Sequence, residues 1–114
     1  MKTLFIDIDG TLFEHNGTFS NIALSESTLL PNAREKMDEW CSKEYRIILT
    51  TARRESLRNR TESELQRLGV PYDCLIMGIS KGQRVVINDR RPSGDDTAFA
   101  INIDRDTGLG GVEV

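Results

Sequence analysis

Short apolar runs recur along the whole chain. The first, LFIDI at 4–8, is almost continuously apolar, which is typical of a strand in the middle of a parallel sheet. Further runs of this kind lie at 45–50, 73–78, 84–89 and 97–103. The pattern therefore predicts about five strands.

A first polar stretch between these runs has the periodicity of an amphipathic helix. Ala33, Met37, Trp40 and Cys41 recur at helical spacing and should face the core. Pro31 precedes them and suits a first helical turn, where its missing N–H removes no hydrogen bond.

A second helix is predicted over 55–69. Leu57, Leu65 and Leu68 share one face, and Gly69 is suited to end the helix. Charged residues of both signs occupy the other positions of this helix and the two positions before it, which predicts a solvated face. The amino end of the helix could guide an anionic substrate. These residues are Arg53, Arg54, Arg58, Arg60 and Arg67 among Glu55, Glu62 and Glu64.

Alternation of strands and helices with short connections favours an α/β fold. We expect a doubly wound, Rossmann-like parallel sheet with flanking helices, and a site at the carboxyl ends of its strands. The 114 residues are enough for one core, so 1–114 is predicted to be a single domain.

Composition narrows the class of function. Hydrophobic residues make up 38% and charged residues 29%, as in soluble globular proteins, and the net charge of −3 gives no global footprint for nucleic acid or membrane. Cys41 and Cys74 are too few for a disulfide framework. Asp7 and Asp9 fall where a signal peptide would need an apolar core, so we expect a cytoplasmic protein.

Polar side chains gather where the predicted strands end. Asp7 and Asp9 close the first run, and such a pair of like charges calls for a bound cation to compensate it. The second strand ends in Thr50, Thr51 and Arg53, and Asn88 and Asp89 close the run at 84–89. Carboxylates at one edge of a sheet suit Mg²⁺ with a substrate phosphate, so the sequence predicts phosphoryl transfer.

The stretch FIDIDGTL resembles the first motif of the haloacid dehalogenase superfamily of phosphatases. The resemblance implies that Asp7 is the nucleophile, that Asp9 is the general acid and base, and that both contact Mg²⁺, Asp9 through its main-chain carbonyl. It extends over most of the chain, because three later segments follow in the order that the family requires.

Two of these segments imply phosphate-binding groups. IILTTAR is similar to the second motif, with Thr51 as the hydroxyl that binds phosphate and Thr50 as the alternative. GISKGQR supplies Lys81 for the third motif, and Arg91 could provide the same positive charge.

The third segment, VVINDRRP, resembles the acidic fourth motif of the family. Asp89 is then a metal ligand together with Asp7 and Asp9. The common form of this motif carries two aspartates, whereas Asn88 stands in the first place here, so one negative charge is missing.

The chain leaves little room for additions to this core. Asn16-Gly17, flanked by Phe13 and Phe19, predicts a small flap hairpin near the site. No cap domain fits between the motifs. In the family, capless members have open sites, which implies a bulky substrate or closure of the site by a neighbouring subunit in a homo-oligomer.

The expected function is a Mg²⁺-dependent phosphomonoester hydrolase acting on a sugar phosphate or a similar small metabolite. A 3′-phosphatase acting on polynucleotide ends is the alternative within the same chemistry. A receiver-like signalling module is the rival from another class, but receivers place their phosphorylated aspartate after the third strand, and DCLIMG ends without an acid.

Overall fold

The computed structural model describes residues 1–15 and 26–114, which form a small α/β domain. Its sheet has three parallel strands in the order β1-β2-β3. They are β1 (Thr3–Asp7), β2 (Arg46–Thr50) and β3 (Cys74–Ile76). The register pairs Asp7 with Thr50 and Thr50 with Ile76, so the three carboxyl ends lie at one edge.

Two helices accompany the sheet, as the sequence predicts. Helix α1 spans Ala33–Ser42, and α2 spans Arg58–Arg67 after one 3-10 turn at Glu55–Leu57. No helix within residues 1–15 and 26–114 is long and apolar enough to cross a membrane.

The apolar face of α1 confirms the predicted periodicity except at one position. Ala33, Met37 and Trp40 are buried, but Cys41 is exposed. Cys41 lies eight positions after Ala33, or roughly 80° around the helix axis, which takes it to the flank of the buried face. In α2, Leu65 is fully buried as predicted.

The prediction of five strands is wrong for the single chain. Residues 80–102, here called the arm, form no strand and are exposed throughout. The arm contains both the run at 84–89 and most of the run at 97–103. At its tip the Arg91 N–H donates to the Asp95 carbonyl. An apolar segment is suited to burial, but a strand also needs a neighbouring backbone with which it can form hydrogen bonds.

The first strand is also less enclosed than its sequence predicts. Among the described residues β1 pairs only with β2, which leaves it at the edge of the sheet. Phe5 on this strand is 63% exposed. The predicted flap at Asn16-Gly17 lies outside the described residues, and Phe13 beside it is fully buried in the core.

The end of the chain packs beside the start of α1. Leu109 and Val112 are buried, and the Leu109 N–H donates to the Pro31 carbonyl at 3.0 Å. Gly108 makes this approach feasible, because it has φ +86° and a Cβ placed there would lie 2.3 Å from the Pro31 oxygen.

Gly108→Ala should therefore lower the free energy of unfolding by about 2 kcal/mol or more, through backbone strain and the clash with Pro31. Gly94→Ala is the matched control, since Gly94 has φ +94° but no neighbouring atom within 4 Å. Urea denaturation of both variants measures the difference. Equal losses would show that the close approach to Pro31 contributes nothing.

Candidate active site at the carboxyl edge of the sheet

The turn after β1 sets the position of the two aspartates. Asp7 is the last residue of the strand, and the carbonyl of Ile8 then accepts hydrogen bonds from the N–H groups of Thr11, Leu12 and Phe13 at 2.9–3.2 Å. This tight turn requires Gly10 at φ +91°, a conformation that other residues rarely adopt. Asp9, two residues after Asp7, contributes to raising the pKa of the Asp7 carboxyl through its charge, after burial as the main cause.

Asp7 is the accessible carboxylate of the site, with a side chain that is 34% exposed. Its Oδ1 lies 3.1 Å from Nη1 of Arg84, and its Oδ2 accepts a long hydrogen bond of 3.5 Å from the Thr11 hydroxyl. Burial raises the pKa of the Asp7 carboxyl, and the charge of Arg84 offsets part of that rise. Asp7 is therefore accessible to solvent and lies beside the positively charged side chain of Arg84.

Asp9 is held by an arginine on the next strand connection. Nε and Nη2 of Arg53 donate to its two carboxylate oxygens at 2.9 and 2.8 Å, which is the bidentate geometry of a strong ion pair. The Arg53 side chain is fully buried and that of Asp9 nearly so. The position and orientation of the Asp9 carboxylate are therefore fixed.

Arg53 is also bound from the opposite side by polar groups of α2. Its Nη1 donates to the Thr61 hydroxyl at 3.0 Å and lies 3.4 Å from Oε1 of Glu64. The Ser27 hydroxyl donates to the other Glu64 oxygen. Burial alone would lower the pKa of Arg53, but Asp9 and Glu64 outweigh it and raise that pKa. These residues form one buried ionic network.

Thr51 shapes the turn that directs Arg53 toward Asp9. Its hydroxyl oxygen accepts the Arg53 backbone N–H at 3.0 Å, and Thr51 is only 1% exposed. Thr50, the alternative phosphate-binding residue, is the last residue of β2 and is also buried. Both threonines lie at the predicted edge of the sheet, and the phosphate-binding role remains a prediction.

The remaining predicted site residues lie on the arm. Lys81, Asn88, Asp89 and Arg91 are all exposed there. The cation that contacts Asp7 is Arg84 instead. Within residues 1–15 and 26–114 no three His, Cys, Asp or Glu side chains come together as a metal site, so a single chain does not unite Asp89 with Asp7 and Asp9.

The donors at the sheet edge are nevertheless of the type that Mg²⁺ prefers. Asp7 offers a partly exposed carboxylate. Both carboxylate oxygens of Asp9 are engaged with Arg53, which leaves the main-chain carbonyl of Asp9 as the donor that the family resemblance implies. Mg²⁺ commonly takes one or two protein carboxylates and completes its shell with water and phosphate oxygens. The two aspartates fit such a partial ligand set.

Arg53 and Arg84 contact the two aspartates, a role that the sequence assigns to neither. The sequence places Arg53 among the polar residues after the second strand and on a solvated helical face, but Arg53 precedes the helix and is fully buried. The Thr-Ala-Arg stretch at the end of β2 was the available signal. Arg84 carries no comparable signal, because its contact with Asp7 depends on the course of the arm.

Comparison with known proteins supports the fold and suggests a context. No family model and no curated protein matches this sequence. A chain in a solved Pnkp1/Rnl/Hen1 complex is 26% identical, with a TM-score of 0.61, over 74% of this chain and 30% of that one. A second structure, described as the Pnkp1/Rnl/Hen1 RNA repair complex, matches at 23% identity and a TM-score of 0.56, over 73% of this chain and 27% of the other.

A third solved structure, a structural-genomics target from Vibrio cholerae, is 22% identical with a TM-score of 0.53. The match covers 82% of this chain and 85% of that one. At this identity the likeness concerns the fold alone. The chain spans less than a third of the length of the two chains from the repair complexes.

Proposed function

We propose that this protein is a phosphomonoester hydrolase of the haloacid dehalogenase type that works through an aspartyl-phosphate intermediate. One observation carries the proposal: a partly exposed carboxylate, Asp7, stands at the carboxyl edge of a parallel sheet, and a second carboxylate two residues later, Asp9, is fixed by a buried arginine. This chemistry requires a nucleophile that is open to substrate and a second carboxyl group beside it, and Asp9 carries the proton once one of its oxygens is released from Arg53.

The proposed reaction has two steps. An Asp7 oxygen attacks phosphorus, the bond from phosphorus to the ester oxygen breaks, and Asp9 gives that oxygen a proton. A water molecule then attacks the phosphorus of the aspartyl phosphate and loses a proton to Asp9. Inorganic phosphate leaves, and both carboxyl groups return to their starting states.

Positive charge near Asp7 supports the same chemistry. The guanidinium of Arg84 stands beside the attacking oxygen and can bind the oxygens of an incoming phosphoryl group. Mg²⁺ bound by Asp7 and the Asp9 carbonyl would neutralise phosphate charge so that an anionic nucleophile can approach. Thr51 and Lys81 remain proposed phosphate-binding residues, and Asp89 a proposed metal ligand.

The substrate is proposed to be a small phosphorylated metabolite such as a sugar phosphate, in keeping with the net charge of −3. A phosphorylated polynucleotide end is the second candidate. It is favoured by the likeness to chains of the Pnkp1/Rnl/Hen1 complexes, one of which is described as an RNA repair complex.

A phosphate-release assay tests the proposal and separates the two substrates. The purified protein is incubated with phosphorylated metabolites, with 3′-phosphorylated oligonucleotides and with an aryl phosphate, each with Mg²⁺ and with a chelator. We expect catalytic release that depends on Mg²⁺. Self-phosphorylation without turnover would instead support the receiver-like alternative, and absence of both would refute phosphoryl chemistry at Asp7.

Asp9→Asn should separate the two steps, because the nucleophile survives while the proton carrier is lost. An aryl phosphate with a good leaving group needs little protonation, so it should still phosphorylate Asp7, and hydrolysis should then stall. Intact-mass measurement after a brief reaction should find the phosphoryl adduct accumulating. Asp38→Asn, at an exposed position on α1, is the control and should accumulate none. Parental turnover by Asp9→Asn would remove Asp9 from the mechanism.

A further inference from the structure

Among residues 1–15 and 26–114, no strand pairs with the outer edge of β1. Only β2 pairs with β1 among the described strands, so the opposite edge of β1 offers its N–H and C=O groups to another strand. Phe5 on β1 is largely exposed. An unpaired apolar edge of this kind is suited to bind an added strand.

The arm carries a segment that is suited to this edge. Val85, Val86 and Ile87 are adjacent apolar residues, and Ile87 is 92% exposed. Such a continuous apolar run is typical of strands in parallel sheets, where both faces are covered. In the single chain these side chains remain in water, although β-branched residues are the ones most favoured in strands.

The chain cannot lay this segment parallel to its own β1. Arg84, the residue before Val85, is held at Asp7, so the segment begins at the carboxyl end of β1, whereas a parallel strand must begin at the amino end. Upstream, the Gly78 and Ile79 N–H groups donate to the carbonyls of Arg53 and Thr51 at the same edge. Only residues 80–83 remain as a connection, and a parallel crossover needs about a dozen or more.

An antiparallel return along its own β1 would need no crossover, but the arm does not follow that path. The whole run from 84 to 89 is exposed. The molecule is correspondingly elongated, with principal extents of 50 × 28 × 24 Å. The open edge and the exposed segment are therefore complementary surfaces that the single chain does not join.

We propose that two copies of this chain exchange their arms, so that the segment 84–89 of each copy adds as a parallel strand to the open edge of β1 in the other. Each copy has both the edge and the segment, so a two-fold dimer satisfies both at once. The exchange covers Phe5 and Ile87 and provides hydrogen-bond partners for the backbone groups of β1 that no described strand pairs.

The exchange also has a consequence for the site, which rests on the proposed function. A parallel strand over 84–89 ends at the carboxyl edge of the β1 that it joins, next to Asp7 and Asp9 of that copy. Asp89 would thus complete the acidic site of the neighbouring copy, which the single chain leaves with two aspartates. The active centre would then be shared between two chains.

Light scattering after size-exclusion chromatography tests the exchange without any activity measurement. The parent chain should be a dimer at micromolar concentration. Ile87→Asp should weaken dimerisation about a hundredfold or more, because the charge would be buried twice in a symmetric dimer. Ile87→Val keeps an apolar β-branched side chain and should leave the dimer intact. Val86→Pro, which removes a backbone donor, should also give monomers.

The result that overturns the exchange is a monomeric parent, or a dimer that both Ile87→Asp and Val86→Pro leave unchanged. Because Ile87 is exposed in the single chain, neither folding nor solubility of the monomer depends on its burial. Circular dichroism checks that the variants remain folded.

A mixed dimer tests whether Asp89 serves the other copy. Asp7→Asn and Asp89→Ala chains are coexpressed with different tags, and the mixed dimer is isolated by two affinity steps. Under the exchange, one of its two sites has an intact Asp7 and an intact Asp89, so about half of the parental rate should return. No recovery would refute the shared site. An inactive parent would refute the proposed function alone, since light scattering still decides the dimer.

Discussion

Asp7→Asn is expected to abolish turnover while leaving the protein folded. Asparagine has nearly the same shape as aspartate but no negative charge, so it cannot attack phosphorus, and the rate should fall by at least about a thousandfold. Intact-mass measurement after reaction with an aryl phosphate should find no adduct on the variant. A phosphoryl adduct on Asp7→Asn protein would show that another residue is the nucleophile.

The same variant should melt no lower than the parent when Mg²⁺ is absent. Burial raises the pKa of the Asp7 carboxyl, so folding favours its protonated form, and the stability that this provides is lost as the pH rises through the raised pKa. At neutral pH the carboxylate is charged and partly desolvated, and a neutral amide removes that cost. Thermal unfolding of the two proteins with a chelator measures the difference.

Helices and strands that are determined by a pattern within one short segment could be predicted from the sequence. The sequence predicts helix α1 because Ala33, Met37 and Trp40 repeat at helical spacing, and all three are buried, although the same repeat also includes the exposed Cys41. Strands β1, β2 and β3 each followed from a short apolar run. The meeting of Asp7 with the end of β2 also followed, because parallel strands share one carboxyl edge.

The same kind of apolar run predicts a strand over 84–89, which the single chain does not form. The apolar run at Val85 to Ile87 indicates that burial is favourable, but it does not indicate which backbone provides the partner. That depends on the connection from β3, where only a few residues separate Ile79 from Arg84. A connection of this length is too short for the parallel crossover that a strand beside β1 of the same chain would need.

The buried network around Arg53 could not be predicted from charge patterning. Arginine and glutamate residues near a helix are usually solvated, and that default holds for the pair of Arg58 with Glu55. Arg53 and Glu64 differ because the turn after β2 directs one inward and the buried face of α2 carries the other. Such burial depends on how separate elements pack and not on spacing within either one.

Arg53→Ala is expected to cause the largest loss of stability among these variants. It would remove the bidentate partner of Asp9 and one of two arginines that contact Glu64, because Arg60 also lies 3.3 Å from that carboxylate; Asp9 and Glu64 are 13% and 8% exposed. Breaking a buried pair and leaving its charge uncompensated costs about 3–5 kcal/mol, a large share of the stability of a small domain. Urea denaturation gives the free energy of unfolding. Arg90→Ala, which removes an ion pair with Asp96 whose side chains are 68% and 69% exposed, is the control and should change it little.

The loss of stability in Arg53→Ala should come from a buried carboxylate that is left without its partner, and not from lost packing alone. A second substitution can distinguish these causes. Asp9→Asn in the Arg53→Ala background neutralises the carboxylate that has lost its bidentate partner and should restore part of the stability, whereas Asp9→Asn alone should weaken the parent because it breaks the intact pair. Opposite signs in the two backgrounds would identify the pair as an electrostatic unit. If Asp9→Asn destabilises both backgrounds equally, Arg53 and Asp9 act independently, and the ion pair does not hold Asp9 in place.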